Sequence, residues 1–297
     1  MIKNFTNFNN IEIYENISLK KYNTYRLDVI CDYLVFPKNV NELVELISFL
    51  KSNNYRYLIL GNGSNVIFKE DRYNGVIIKL SKFDKMEFIN ETVVVGAGVA
   101  LSKLANMAIN KSLSGLEFSV SIPGEVGGSI AMNAGAYNES FSDIVESVKV
   151  LTSELQIITL SNEDMNFSYR NSVIKNNKDY IVIEATLKLH QGSKEEMLAL
   201  IEKRFEKRKM TQPLSYPSAG SVFRNPDGLF AGKLIEDANL KGRVIGGAMI
   251  SDIHANFIVN IGNATGKNII DLINLAKSEV KKNNNIDLVL EQVIIDN

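Results

Sequence analysis

Residues 121–137 read "SIPGEVGGSIAMNAGAY". Pro123, Gly124, Gly127, Gly128 and Gly135 lie there among Ser129, Ala131, Ala134 and Ala136. A stretch with so little side-chain bulk cannot build a core of its own. It suits places where another backbone or a flat ligand must come close. Two readings follow: tight packing of a helix on a sheet, and the floor of a cofactor site. They are compatible if the segment packs on one side and faces a ligand on the other.

The surrounding pattern mixes strands and helices. "YLVFP" (33–37) reads as a short buried strand, and residues 39–54 place Val40, Leu43, Val44, Ile47 and Leu50 at helical spacing. Asn39 is the expected N-cap. "YRYLILG" (55–61) completes a strand–helix–strand unit, which usually makes a parallel pair. Strands are predicted at "GVIIKL", "TVVVGAG", "VESVKVLTS", "QIITLS" and "YIVIEATLKL", with a helix over 101–112. Near residue 190 the character changes. A charged amphipathic helix (193–210) is followed by the loop "PSAGSVFRNP" (217–226), a segment "LFAGKLIEDANL", the helix "KNIIDLINLAKSEVKKN" and a final strand "DLVLEQVII". A domain boundary is placed there, giving 1–190 and 191–297.

Two more segments suggest chemistry. "LGNGSNVIF" (60–68) leaves a strand through Gly61, Asn62, Gly63, Ser64 and Asn65. Consecutive backbone N–H groups in such a turn can form an anion-binding nest; a tight connection between strands is the plainer reading. In the 217–226 loop, a glycine and small residues precede Ser221 and an aromatic follows it. A serine nucleophile needs a base, and the chain has only two histidines, His190 and His254. The plain reading of Ser221 is a turn hydroxyl bonded to its own backbone.

Composition removes several classes. A net charge of −1 supplies no field for nucleic acid or an acidic membrane. A single cysteine, Cys31, excludes an internal disulfide framework and suits a reducing compartment. No apolar run approaches the ~18 residues of a span, and the asparagine-rich start lacks the apolar centre of a signal peptide. A cytoplasmic protein is expected, with a monomer as the default. The basic end of the 193–210 helix reads as charge favoured by the helix dipole, with steering of a diphosphate substrate as the alternative reading. Leu101 stands where a third Rossmann glycine would be, neither a P-loop nor G-x-S-x-G occurs, and no Cys/His cluster offers a metal site.

"NTYRL" (23–27), "YLILGNGSNVIF", "SIPGEVGGSIAMNAGAYN", "YRNS" (169–172), "PSAGSVFRNP", "AGKLIEDANLKG" (231–242) and "HANFIVN" (254–260) occur in the order and spacing of one family. From about Asn23 to Glu291 the chain resembles the UDP-N-acetylenolpyruvylglucosamine reductases (MurB), in their shorter branch. The resemblance implies an α+β fold: a two-lobed FAD-binding region of the vanillyl-alcohol oxidase type (lobes about 1–75 and 76–190), then a C-terminal α+β substrate-binding domain. It implies reduction of an enolpyruvyl ether to a lactyl ether on a UDP-sugar, in peptidoglycan precursor synthesis. Hydride would come from NADPH through non-covalent FAD.

Position by position, the resemblance puts the FAD pyrophosphate on the turn of Gly61, Asn62, Gly63, Ser64 and Asn65. It puts the flavin against Pro123, Gly127, Gly128, Ser129, Asn133 and Gly135. Arg170, Ser221 and Glu291 fall on catalytic positions, and Asn225 on a substrate-contacting one. Ser221 would be a proton donor to the α-carbon, so it needs no histidine. Arg170 and Glu291 would stabilise the enolate, Glu291 with a raised pKa. The chain departs from many members at Asp28 and Val29, where a Gly-Gly pair is common. It departs again at Gln292 and Val293, where Val-Arg is common; the missing arginine removes a contact expected for the substrate or its carboxylate. An oxidase of the same fold and a non-catalytic FAD or nucleotide-sugar binder are the alternative readings.

Overall fold

The computed structural model describes residue 8, residues 10–177 and residues 179–297. Residues 1–7 and 9 lie outside it, so part of the reading of the polar N-terminus falls outside the described residues. Contacts divide the chain into two compact units. One is Met1–Ile17, Asp32–Gly61 and Gly75–Ile201; the other is Ser18–Cys31, Asn62–Asn74 and Glu202–Asn297.

The first unit carries one extensive apolar core. The helix Val40–Ser52 contributes Leu43, Leu46, Ile47 and Leu50 to it. Asn39 caps that helix as expected, its side chain accepting from the Glu42 amide at 3.0 Å. The strands on either side are Ile30–Phe36 and Tyr57–Ile59, but they are not neighbours. The order in their sheet is Glu12–Ser18, Ile30–Phe36, Arg72–Ile78, Tyr57–Ile59. Tyr57–Ile59 pairs in parallel with Arg72–Ile78, so a later strand fills the gap that the helical crossover leaves open. Strand–helix–strand periodicity fixes chain direction; it does not say which strand inserts.

The second sheet of this unit is antiparallel, in the order Ile157–Ser161, Val145–Leu151, Ile181–Lys188, Thr92–Gly96, Met86–Ile89. In Ile181–Lys188 nearly every residue is shielded, as in a central strand. In Ile157–Ser161 exposed and half-buried residues alternate, as at an edge. The short helix Val126–Ala131, within the glycine-rich segment, packs on Ile181–Lys188 and Thr92–Gly96. No periodicity could announce it, because Gly127, Gly128 and Ser129 occupy its middle.

In the second unit, Val66–Phe68 pairs in parallel with Val293–Ile295, residues more than 220 positions apart by number. The strand expected over 287–295 is confined to those last three residues. A small antiparallel sheet runs Val244–Ile245, Ala248–Ile250, Ile258–Asn260. Its helices include Ala231–Asp237 and Gly266–Asn284, the latter opened by a capping box between Thr265 and Asn268. The observed class is α+β, as expected. No described helix is long and apolar enough to cross a membrane, and no described group of three or more His, Cys, Asp or Glu could hold a metal ion.

Candidate active site

Ser221 lies in a segment fastened on both sides. On one side it forms an antiparallel bridge with Phe257, and the Val222 amide donates to the Asn256 carbonyl at 2.8 Å. On the other, Phe223 bridges Leu290, and the Glu291 amide donates to the Val222 carbonyl at 2.9 Å. The buried Asn256 amide adds two bonds to Phe223: its Oδ1 accepts from the backbone N–H at 2.9 Å and its Nδ2 donates to the carbonyl at 2.8 Å. Ser221 and Glu291 thus come from neighbouring strands of one small ladder, although 70 positions separate their numbers.

Ser221 lines a cavity of about 280 Å³ together with Asn225, Lys233, Glu236, His254 and Asn256. Asn225 is exposed, and its Oδ1 accepts from the Ala231 amide at 3.1 Å, which joins the loop to the following helix. His254 stands edge-on to Phe257, with centroids 4.9 Å apart, and its Nδ1 accepts from the Asn256 amide at 3.2 Å. Burial holds its pKa below the ordinary 6.5. At neutral pH the ring is therefore uncharged, with its proton on Nε2.

The turn that ends Tyr57–Ile59 begins at Gly61, whose carbonyl accepts from Lys79 Nζ. Lys79 also pairs with Glu125 at 3.0 Å, with side-chain exposures of 6% and 14%. One cation thereby ties the start of the turn to the start of the glycine-rich segment. Gly63 has φ +64°, and a Cβ there would lie 2.3 Å from the Tyr22 carbonyl oxygen. Only glycine fits both the conformation and the approach. Asn65 Nδ2 donates to the Glu291 carbonyl at 3.2 Å, and the Val293 amide donates back to the Asn65 carbonyl at 2.9 Å. Asn62 is exposed and Ser64 half-buried.

Within 121–137 the two readings separate residue by residue. Gly127 packs on Ala97, where a Cβ would lie 3.0 Å from the alanine methyl, and a Cβ on Gly135 would lie 2.3 Å from the Glu139 carbonyl oxygen. Those two serve close packing. Around Gly128 a Cβ would meet nothing within 4 Å, and the residue is exposed. It is the position where a flat group could rest on bare backbone. Pro123 is exposed as well, and Ser129 is buried. The buried Asn133 satisfies its own loop: Oδ1 accepts from the Ser142 amide at 2.9 Å and Nδ2 donates to the Ser168 carbonyl at 3.1 Å. Arg170, two residues beyond Ser168, donates from Nη2 to the Gly135 carbonyl at 2.6 Å. The structure therefore brings Arg170, Asn133 and Gly135 together in the first unit, and Ser221, Asn225 and Glu291 in the second.

Known proteins match over nearly the whole chain. A UDP-N-acetylenolpyruvoylglucosamine reductase of Clostridium kluyveri is 41% identical over 278 residues, covering 93% of this chain and 91% of that protein. The chain belongs to the UDP-N-acetylenolpyruvoylglucosamine reductase family. The reductase of Bacillus licheniformis is 40% identical, over 96% of this chain and 94% of its own. The C-terminal domain of that reductase family matches residues 212–295, and an FAD binding domain matches residues 31–161. The crystal structure of the reductase from Thermus caldophilus superposes with a TM-score of 0.81 at 32% identity, covering 96% of this chain and 99% of that one. As a member of the reductase family, the chain has an FAD-binding domain, and the exposed, uncrowded backbone at Gly128 fits a flat cofactor.

Sequence reasoning passes over Lys79, Glu125 and Asn256, meets Gln292 only as a departure from the family pattern, and leaves the role of His254 open. Lys79 has one available signal, a cation at the end of the apolar run "GVII". A lysine there must either escape the core or find a partner. The other residues act through contacts distant in sequence, and Asn256 and Gln292 show there only as polar residues inside apolar runs.

Proposed function

We propose that this protein reduces UDP-N-acetylglucosamine enolpyruvate to UDP-N-acetylmuramate in the cytoplasm, as a step toward peptidoglycan precursors, with NADPH as electron donor. FAD, when bound, supplies the hydride chemistry. Addition of hydride to the β-carbon of the vinyl ether leaves negative charge at the α-carbon, spread into the adjoining carboxylate. Ser221 Oγ–H protonates that carbon. A neutral hydroxyl suffices because the carbanion is far more basic than an alkoxide, so the residue works without a histidine base. Arg170 offsets the enolate charge, and Glu291 does so by being protonated or sharing a proton. Asn225 contacts the UDP-sugar. The protein acts as a monomer.

One observation carries the reading: in a chain of this reductase family, Ser221 opens onto a cavity that also presents Asn225, while the backbone on both sides of the serine is pinned. Pinning suits a group whose role is a single proton transfer in fixed geometry. The test uses Ser221→Ala in anaerobic half-reactions. NADPH should still bleach the flavin at the parent rate. Reoxidation by the enolpyruvyl substrate should fall by roughly 10²–10⁴-fold, the usual contribution of a positioned acid. Reoxidation at the parent rate would remove Ser221 from the mechanism. A parent protein reoxidised only by oxygen would favour an oxidase.

A further inference from the structure

Gln292 is almost fully buried, at 3% exposure, one residue beyond Glu291. Its Nε2 donates to two consecutive carbonyls, Ala219 at 3.0 Å and Gly220 at 3.2 Å. These are the two residues immediately before Ser221. Its Oε1 accepts from the hydroxyl of Tyr25 at 3.0 Å, and Tyr25 is fully buried. The three bonds fix the amide in one orientation. Turned over, its oxygen would face two carbonyl oxygens, neither of which has a proton to give. The Tyr25 backbone is tied down in turn, because its carbonyl accepts from Asn260 Nδ2 at 2.8 Å.

The loop is also fastened before the serine, where the Pro217 carbonyl accepts from the Asn260 amide at 2.9 Å, and at Ser221 itself through its bridge to Phe257. Asn256 and Leu290 hold Val222 and Phe223. Gly220 has φ +74°, and a Cβ there would meet nothing within 4 Å, which makes it the most permissive point in the segment. Backbone freedom at Gly220 would swing Ser221 Oγ directly. Between those anchors, the Gln292 amide grips the two carbonyls at that point, Ala219 and Gly220. We propose that Gln292 is a positioning residue for Ser221: it joins the two carbonyls ahead of the serine to the anchored Tyr25 and so fixes where the hydroxyl points. The consequence for turnover rests on the proton-donor reading of Ser221; the consequence for loop order does not.

Gln292→Met keeps the side-chain length and removes all three bonds. Amide hydrogen exchange over residues 219–224 of the purified holoenzyme, without substrate, should accelerate at least tenfold. In half-reactions, flavin reduction by NADPH should stay within twofold of the parent. Reoxidation by the enolpyruvyl substrate should slow by up to roughly 10²-fold, the scale of a 1 Å misplacement, with a larger solvent isotope effect as proton transfer becomes limiting. Tyr25→Phe leaves both carbonyl bonds in place and should slow reoxidation by less than Gln292→Met does. Gln292→Glu can donate to a carbonyl only when protonated, so its reoxidation rate relative to the parent should rise as pH falls.

Unchanged exchange over 219–224 in Gln292→Met overturns the proposal whatever the activity. So does a loss shared equally by both half-reactions. If Gln292→Met does not fold, a Gln292→Glu profile parallel to the parent's is the overturning result. Faster exchange with no enolpyruvyl-dependent reoxidation in the parent itself would leave the loop tether standing and remove the proposed reaction instead.

Discussion

Replacing Lys79 by methionine should strongly destabilise the first unit, even though the residue belongs to no catalytic group. The Lys79–Glu125 pair is 3.0 Å long, with side chains 6% and 14% exposed, so water screens it little. Methionine matches the aliphatic stem and leaves the Glu125 carboxylate shielded without its cation. Removing one member of a buried pair costs about 3–5 kcal/mol, chiefly the penalty of the stranded charge. The Gly61 carbonyl also loses its donor. For a unit of this size, 1 kcal/mol corresponds to roughly 2–4 °C, so the melting point should fall by roughly 6–20 °C. Calorimetry on the FAD-free protein reads this directly, without interference from cofactor affinity. A second arm checks the cause. Lys79→Met combined with Glu125→Leu removes both charges and should recover most of the loss, because an apolar pair of similar volume often replaces a buried ion pair at little cost. A residual deficit of about 1–3 kcal/mol is expected from the unsatisfied Gly61 carbonyl. A single variant melting within 2 °C of the parent would refute the reasoning, as would a double variant no more stable than the single.

His254 makes a pH-dependent contribution of definite sign. Its pKa is lowered on folding by burial, so the unfolded chain binds the proton first as pH falls. The contribution is complete above about 6.5, the ordinary value, and is lost as pH drops through the lower folded value. Urea midpoints from pH 7.5 to 5 should therefore fall more steeply for the parent than for His254→Asn; parallel curves would show that another group governs acid sensitivity. Arg170→Ala should slow enolpyruvyl-dependent reoxidation while leaving flavin reduction by NADPH near the parent rate. An equal loss in both half-reactions would reduce Arg170 to its bond with the Gly135 carbonyl.

The parts of the fold legible in sequence are those with local causes. The helix Val40–Ser52 follows from apolar spacing and an asparagine cap, and Gly266–Asn284 from the same kind of periodicity. Where neighbours along the chain are not neighbours in space, local pattern is silent. Nothing in "YLILG" says that Arg72–Ile78 will lie between Ile30–Phe36 and Tyr57–Ile59. A change of composition at residue 190 marks the start of a charged helix. It carries no sign that Ser18–Cys31 and Asn62–Asn74 gather with Glu202–Asn297, since that grouping depends on pairings such as Val66–Phe68 with Val293–Ile295. The glycine-rich segment is visible as a place of close approach, but its division of labour is not. Gly127 faces protein and Gly128 faces open space, a distinction that depends on which face of a short helix meets the sheet, while Gly135 lies beyond that helix against the paired strand Glu139–Ser140.

The same distinction explains how the candidate site is supported. The residues singled out in sequence occupy short, small-residue segments, because chemistry at a ligand requires bare backbone and exposed polar atoms. Such segments have few side chains to bury, chiefly Val126 and Ile130 in one and Val222 and Phe223 in another. Much of their support therefore comes from elsewhere and is polar, since what it grips is backbone. Lys79 reaches the Gly61 carbonyl, Asn256 clamps Phe223, and Gln292 holds Ala219 and Gly220, each from a buried position. A buried polar side chain is costly unless fully bonded, and Asn256 and Gln292 bond both ends of their amides. Such residues form the shell that turns a permissive loop into a fixed one. They are found in sequence only as polar residues inside apolar runs, as in "HANFIVN" and "LEQVII". In a chain of this kind those interruptions mark the supports, and the glycine-rich turns mark what they support.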